Sequence, residues 1–137
     1  MGCAVGRESP FSADVACDIR LEFLSDSIVL ACEAKSARGT TNSDKDRDTL
    51  NLASLFRVID GTAYIAAKLA MADPKPNLVV RGAIAWGEFL IESPFIIGPA
   101  VDEAANAERD LDAAVVEVCP SALSVCDASV RVQAAAA

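Results

Sequence analysis

"DIRLEFLSDSIVLACEA", Asp18 to Ala34, contains two alternating runs on either side of a short polar break. Ile19, Leu21 and Phe23 alternate with Asp18, Arg20 and Glu22, and after Ser25-Asp26 a second series follows in Ile28, Leu30 and Cys32. A two-residue repeat places alternate side chains on opposite faces of an extended chain. Two such runs meeting at a short polar break therefore predict a β-hairpin with Ser25-Asp26 at its turn. The next segment, "KSARGTTNSDKDRD", has mixed charge and no periodicity, and is expected to be a solvated, flexible loop over residues 34–48.

Beyond the loop the period changes. From Asp48, with Asp48 or Thr49 able to cap it, Leu52, Leu55, Phe56, Ile59, Ala63, Ala66 and Ala70 recur at steps of three and four, predicting a helix. Asp73-Pro74-Lys75-Pro76 ends it. Gly61, inside this helix, costs about 1 kcal/mol relative to alanine, which points to a kink or to close packing. "NLVVRGAIAW" alternates again, with Leu78, Val80, Gly82, Ile84 and Trp86 on one face. Gly87-Glu88 turns the chain into "FLI", and Glu92-Ser93-Pro94 breaks it before "FII". Gly98-Pro99 suits a helix start, with Asp102 and Glu103 near the positive end of the dipole. Ala113 to Val118 reads as a strand, Pro120-Ser121 as the start of a short helix to about Cys126, and 128–137 as a tail.

The order β-β-α-β-β-α-β predicts an α+β domain over residues 18–127, with a largely antiparallel sheet and helices packed on one face; residues 1–17 stay unassigned. A length of 137 residues with 53% hydrophobic content suits one folded domain. The net charge of −8 argues against a sequence-independent nucleic-acid binder, which needs clustered Lys and Arg, and no apolar run approaches a membrane span. The five cysteines, Cys3, Cys17, Cys32, Cys119 and Cys126, form no CxxC pair. They are expected to be reduced, mostly buried thiols in a cytoplasmic protein. With no histidine, a Cys/His zinc site and any Ser-His-Asp or Cys-His centre within the chain are excluded.

Three segments in order carry a resemblance. "FLSDSIVLA" resembles the metal-binding hairpin of the class III nucleotidyl (adenylate/guanylate) cyclases, with Asp26 at the metal position and Ser25 in place of glycine. "VRGAIAWGE" is similar to the following strand motif, Arg-x-Gly-Ile-x-x-Gly, with Arg81, Ile84 and Gly87 in matching places. "GPAVDEAANAE" matches the next signature at Gly98, Val101, Ala104 and Glu108. The likeness is closer to a divergent bacterial branch of cyclase-like proteins, and pyrimidine cyclases of antiphage signalling belong to the same wider superfamily. It covers roughly Asp18 to Ala122.

The resemblance implies a ferredoxin-like, nucleotidyl-cyclase-type fold and a nucleoside triphosphate as substrate. It also implies Mg²⁺ or Mn²⁺ as cofactor if the protein is active, and a homodimer or a pairing with another cyclase-like chain. In that chemistry the ribose 3′-oxygen attacks the α-phosphate while metals and a positive side chain stabilise the developing charge. Asp26 would be a metal ligand, Arg81, Gly87, Glu88 and Gly98 would meet substrate, and Asp102 and Asn106 stand where the family keeps Asn and Arg. Pro99 replaces the aspartate that reads the purine in many adenylyl cyclases. The family's first-strand aspartate has no counterpart, so the chain is expected to begin after that strand.

Each residue also has a plainer reading. Asp26 can be a turn aspartate, Asp102 and Glu103 can be dipole-favoured acids, and Arg81 can be a solvated strand arginine. A catalytically degenerate nucleotide-binding, dimerisation or scaffold domain is the alternative function, and a small α+β protein unrelated to cyclases is a third.

Overall fold

The computed structural model describes residues 17–24, 27–34, 44–71, 78–92 and 95–135. The hairpin forms as its alternation predicts. Strand β1 (Cys17–Leu24) and strand β2 (Ser27–Ala34) pair antiparallel, from Cys17 opposite Ala34 to Leu24 opposite Ser27. Ser25 and Asp26, the expected turn, lie outside the described residues. The register sets Ile19, Leu21 and Phe23 across from Cys32, Leu30 and Ile28, giving one apolar face. That face is covered unevenly, because the following helix packs on β2. Cys32 is only 7% exposed, whereas Phe23 on β1 is 69% exposed.

Helix α1 (Asp44–Ala70) begins earlier than the sequence suggested, so residues 44–48 are helical and not loop. The charges that read as a solvated run include Asp44, Asp46 and Asp48, acids that a helix N-terminus favours. The buried stripe is narrower than the apolar pattern. Leu55 is buried and Ile59 packs against the core, while Phe56, Ala63 and Ala70 are exposed. Gly61 marks a close approach: a Cβ there would lie 2.7 Å from Cδ2 of Leu30 on β2.

The second half has three short strands between the first two helices where the expected order has two, and runs β3 (Gly82–Ile84), β4 (Leu90–Glu92), β5 (Phe95–Ile97), α2 (Pro99–Arg109), β6 (Val116–Val118) and α3 (Pro120–Ala135). β3 does not extend over "NLVVRGAIAW". The Leu78 N–H donates to the Leu69 carbonyl at the end of α1, which diverts this stretch from a ladder and leaves Val79 exposed. β4 and β5 form an antiparallel hairpin, but β3 and β6 pair in parallel, because α2 carries the chain back between them. The result is α+β with three two-stranded sheets rather than one continuous sheet among the described residues. α3 runs well past Cys126, so most of the expected tail is helical, in keeping with the high helix propensity of its alanines.

The core sits where α1, α3 and the parallel pair meet. Leu55, Ile84 and Ala122 are buried together, with Val58, Ile59, Trp86, Val116, Val118, Val125 and Cys126 packed around them. Leu55 is 1% exposed, so Leu55→Ala removes a fully buried side chain at the centre of this cluster. It is expected to destabilise the protein by about 2–5 kcal/mol in urea unfolding.

Candidate functional site

Two of the three motif segments are brought together around a pair of glycines. Gly98, the N-cap of α2, has φ 143°, a conformation that side chains with a Cβ rarely adopt. A Cβ at Gly98 would lie 2.5 Å from the Glu88 carbonyl oxygen and 2.7 Å from Cα of Phe89. Both obstacles are backbone, so only glycine fits. Gly87 has φ 156°, and a Cβ there would meet Cβ of Ala100 at 3.4 Å. The Ala100 N–H donates to the Glu88 carbonyl at 3.4 Å. Thus Gly87, Glu88 and Gly98, separated by the β4–β5 hairpin, share one surface.

The start of α2 is closed on itself. Pro99 has no N–H, Ala100 donates to Glu88, and Val101 and Asp102 both donate to the Gly98 carbonyl at 3.0 Å. A helix N-terminus attracts anions through its unmet N–H groups, and these three donors are already engaged.

Arg81 has found a carboxylate. Its Nε donates to Oε1 of Glu108 at 2.5 Å and its Nη1 to the Leu111 carbonyl at 3.1 Å. The two side chains are 52% and 37% exposed, so the pair is worth about 0–1 kcal/mol. Its effect is geometric, tying the approach to β3 to the end of α2. An open cleft of about 170 Å³ lies beside it, lined by Val79, Val80, Arg81, Asp112, Ala113 and Ala114.

Asp102 and Asn106 are exposed and one turn apart on α2. At about 100° per residue they fall roughly opposite Ala104 and Glu108 on the helix circumference. They therefore face away from the side that holds Arg81 and do not converge with it. Asp26 lies outside the described residues, and no group of three or more His, Cys, Asp or Glu among the described residues could hold a metal ion.

The sequence reading missed the junction at the start of α3. The Cys119 N–H donates to the Ile84 carbonyl at 2.8 Å, and the Cys119 carbonyl accepts from Leu123, making Cys119 the residue that opens the helix. Pro120 follows, a residue suited to the first helical position. The Ser121 N–H donates to Oε1 of Glu103 on α2 at 3.2 Å, and Ser121 Oγ accepts the Trp86 N–H at 2.8 Å. Glu103 read only as an acid at its own helix start, yet its carboxylate serves a different helix. No sequence spacing signals that contact.

Burial, followed by the charges of Glu103 and Glu117, pushes the Cys119 thiol above its ordinary range. Cys119 and Cys126 are thiols, as expected, but Cys32 is disulfide-bonded, which corrects the reading of wholly reduced cysteines. No helix among the described residues is long and apolar enough to cross a membrane. In comparisons with known proteins, no family model, no curated protein and no solved structure matches the chain.

Two outcomes follow from this geometry. Gly98→Ala is expected to lower stability by about 1–3 kcal/mol from backbone conformation alone, with further loss from the clash at Glu88 and Phe89, read by thermal unfolding. Cys119 stays protonated to higher pH in the folded chain than in the unfolded one. As pH rises through the ordinary thiol value the unfolded state loses its proton first, so stability falls. Unfolding measured between about pH 8 and 10 should show this decline, reduced in Cys119→Ala.

Proposed function

We propose that the chain is a divergent nucleotidyl cyclase-like domain that engages a nucleoside triphosphate. The observation carrying this reading is the packing of "VRGAIAWGE" against "GPAVDEAANAE", through the Gly87–Ala100 contact, the Ala100-to-Glu88 hydrogen bond and the Arg81–Glu108 pair. The two segments that resemble consecutive cyclase signatures form one surface. The order hairpin, long helix, strand, hairpin, helix, strand supports the nucleotidyl-cyclase-type variant of the α+β fold. In the active form of this reading, Asp26 would hold Mg²⁺ or Mn²⁺ and a partner chain would supply the second acid. The bound metal would neutralise phosphate oxygens. A homodimer or a pairing with a second cyclase-like chain belongs to the same reading.

One observation favours a second form, a catalytically degenerate domain that binds nucleotide or a partner without turnover. The Arg81 guanidinium is held by Glu108 and Leu111, and Asp102 and Asn106 face away from it. A site for a polyanion needs positive charge that is not already neutralised.

The test is a thermal shift of the full chain with Mn²⁺ and each of ATP, GTP, CTP and UTP, together with assay for cyclic product. Binding by at least one triphosphate is expected, with stabilisation of about 2.7 kcal/mol at 100 times its Kd. Absence of any shift at millimolar ligand overturns the nucleotide reading. Cyclic product that disappears in Asp26→Ala selects the active form, and a shift without product selects the degenerate one.

A further inference from the structure

Two segments bearing candidate residues, Trp86-Gly87-Glu88 after β3 and Asp102 to Asn106 on α2, are separated by the β4–β5 hairpin. Both nevertheless attach to Ser121. Its Oγ accepts the Trp86 N–H at 2.8 Å, and its N–H donates to Glu103 Oε1 at 3.2 Å. We propose that Glu103 and Ser121 form a positioning pair that holds the Gly87-Glu88 turn and the polar face of α2 in one fixed relation. The pair deepens the nucleotide reading given above and rests on it for what the surface binds. The mechanical coupling can be read without any ligand.

Three features support the pair. Cys119 opens α3 with a side chain that is a weak acceptor, and Pro120 has no donor, so Ser121 presents the first N–H of the helix that needs a partner. A carboxylate from α2 meets it, and both Glu103 and Ser121 are half-buried, where an unmet donor is unfavourable. The chain neighbours are the candidate residues themselves: Glu103 adjoins Asp102 and lies about one turn from Asn106, while Trp86 adjoins Gly87. Lastly, the direct backbone tie between the segments, Ala100 N–H to the Glu88 carbonyl, is long at 3.4 Å, and the bonds through Ser121, at 2.8 and 3.2 Å, join the same two segments a second time. Ser124 Oγ donates to the Ser121 carbonyl at 2.6 Å, a local bond that joins neither segment.

The experiment is residue-resolved amide hydrogen exchange on the full chain as wild type, Glu103→Ala, Glu103→Gln and Ser121→Ala. Val125→Ala serves as a control for general loss of stability. Glu103→Ala should speed exchange at both Ser121 and Trp86 by about fivefold relative to the control, the factor expected for one ordinary hydrogen bond. Glu103→Gln, which keeps an acceptor oxygen, should restore slow exchange, and Ser121→Ala should speed Trp86. Unchanged Trp86 exchange in Glu103→Ala, or an equal change in Val125→Ala, overturns the positioning pair whatever nucleotide does. With Mn²⁺ and each of the four triphosphates, the expected result is a Kd raised about fivefold by Glu103→Ala and restored by Glu103→Gln. Coupled exchange at Ser121 and Trp86 in a wild type that binds no triphosphate supports the pair and removes the nucleotide reading.

Discussion

The Cys119 N–H reaches the Ile84 carbonyl at 2.8 Å, one step beyond the last paired residues of β3 and β6. The rest of the arrangement depends on that bond. It sets where the parallel ladder stops and α3 begins, since the Cys119 carbonyl accepts the first bond of the helix. Ala122 then lies against Leu55 and Ile84, and Ser121 lies within reach of Trp86 and Glu103. A displaced helix start would move the core contact and both polar contacts together. Burial of Leu55 supplies stability, but the backbone bond supplies the registration that makes this burial possible.

The candidate surface is defined by backbone more than by charge. Gly98 lets α2 begin against the Glu88-Phe89 backbone, and the engaged donors of Ala100, Val101 and Asp102 leave that helix start with little pull on an anion. Acids are plentiful nearby, at Glu88, Asp102, Glu103 and Glu108, and the arginine among them is paired. Such a surface suits a ligand that brings its own cation, or a partner that presents basic groups.

Alternation made the β1–β2 hairpin legible, and Gly98-Pro99 made the start of α2 legible, because both signals are local. Arg81 was legible as a substrate contact or a solvated strand arginine, and nothing in the sequence selected Glu108 as its partner. Other features escaped for physical reasons. Asp44, Asp46 and Asp48 suit a helix N-terminus as well as a loop. The alternating run from Leu78 was diverted by a hydrogen bond to Leu69, a tertiary contact that no periodicity records. Parallel pairing of β3 with β6 depends on how α2 crosses between them. The role of Glu103 depends on a helix 18 residues away in sequence, and the disulfide of Cys32 on a pairing that spacing did not reveal.

The parallel pair also affects how the chain emerges from the ribosome. β1 and β2 can zip as soon as both are made, but the partner of β3 among the described residues is β6, with β4, β5 and α2 in between. At ordinary rates of synthesis that interval lasts about 2–6 s, far longer than a hairpin needs to form. Throughout it Leu55 and Ile84 lack Ala122, and the part of α1 that packs on α3 waits uncovered. The newborn chain therefore carries exposed apolar surface, the condition that favours aggregation, for a stretch of translation set by the distance between two three-residue strands.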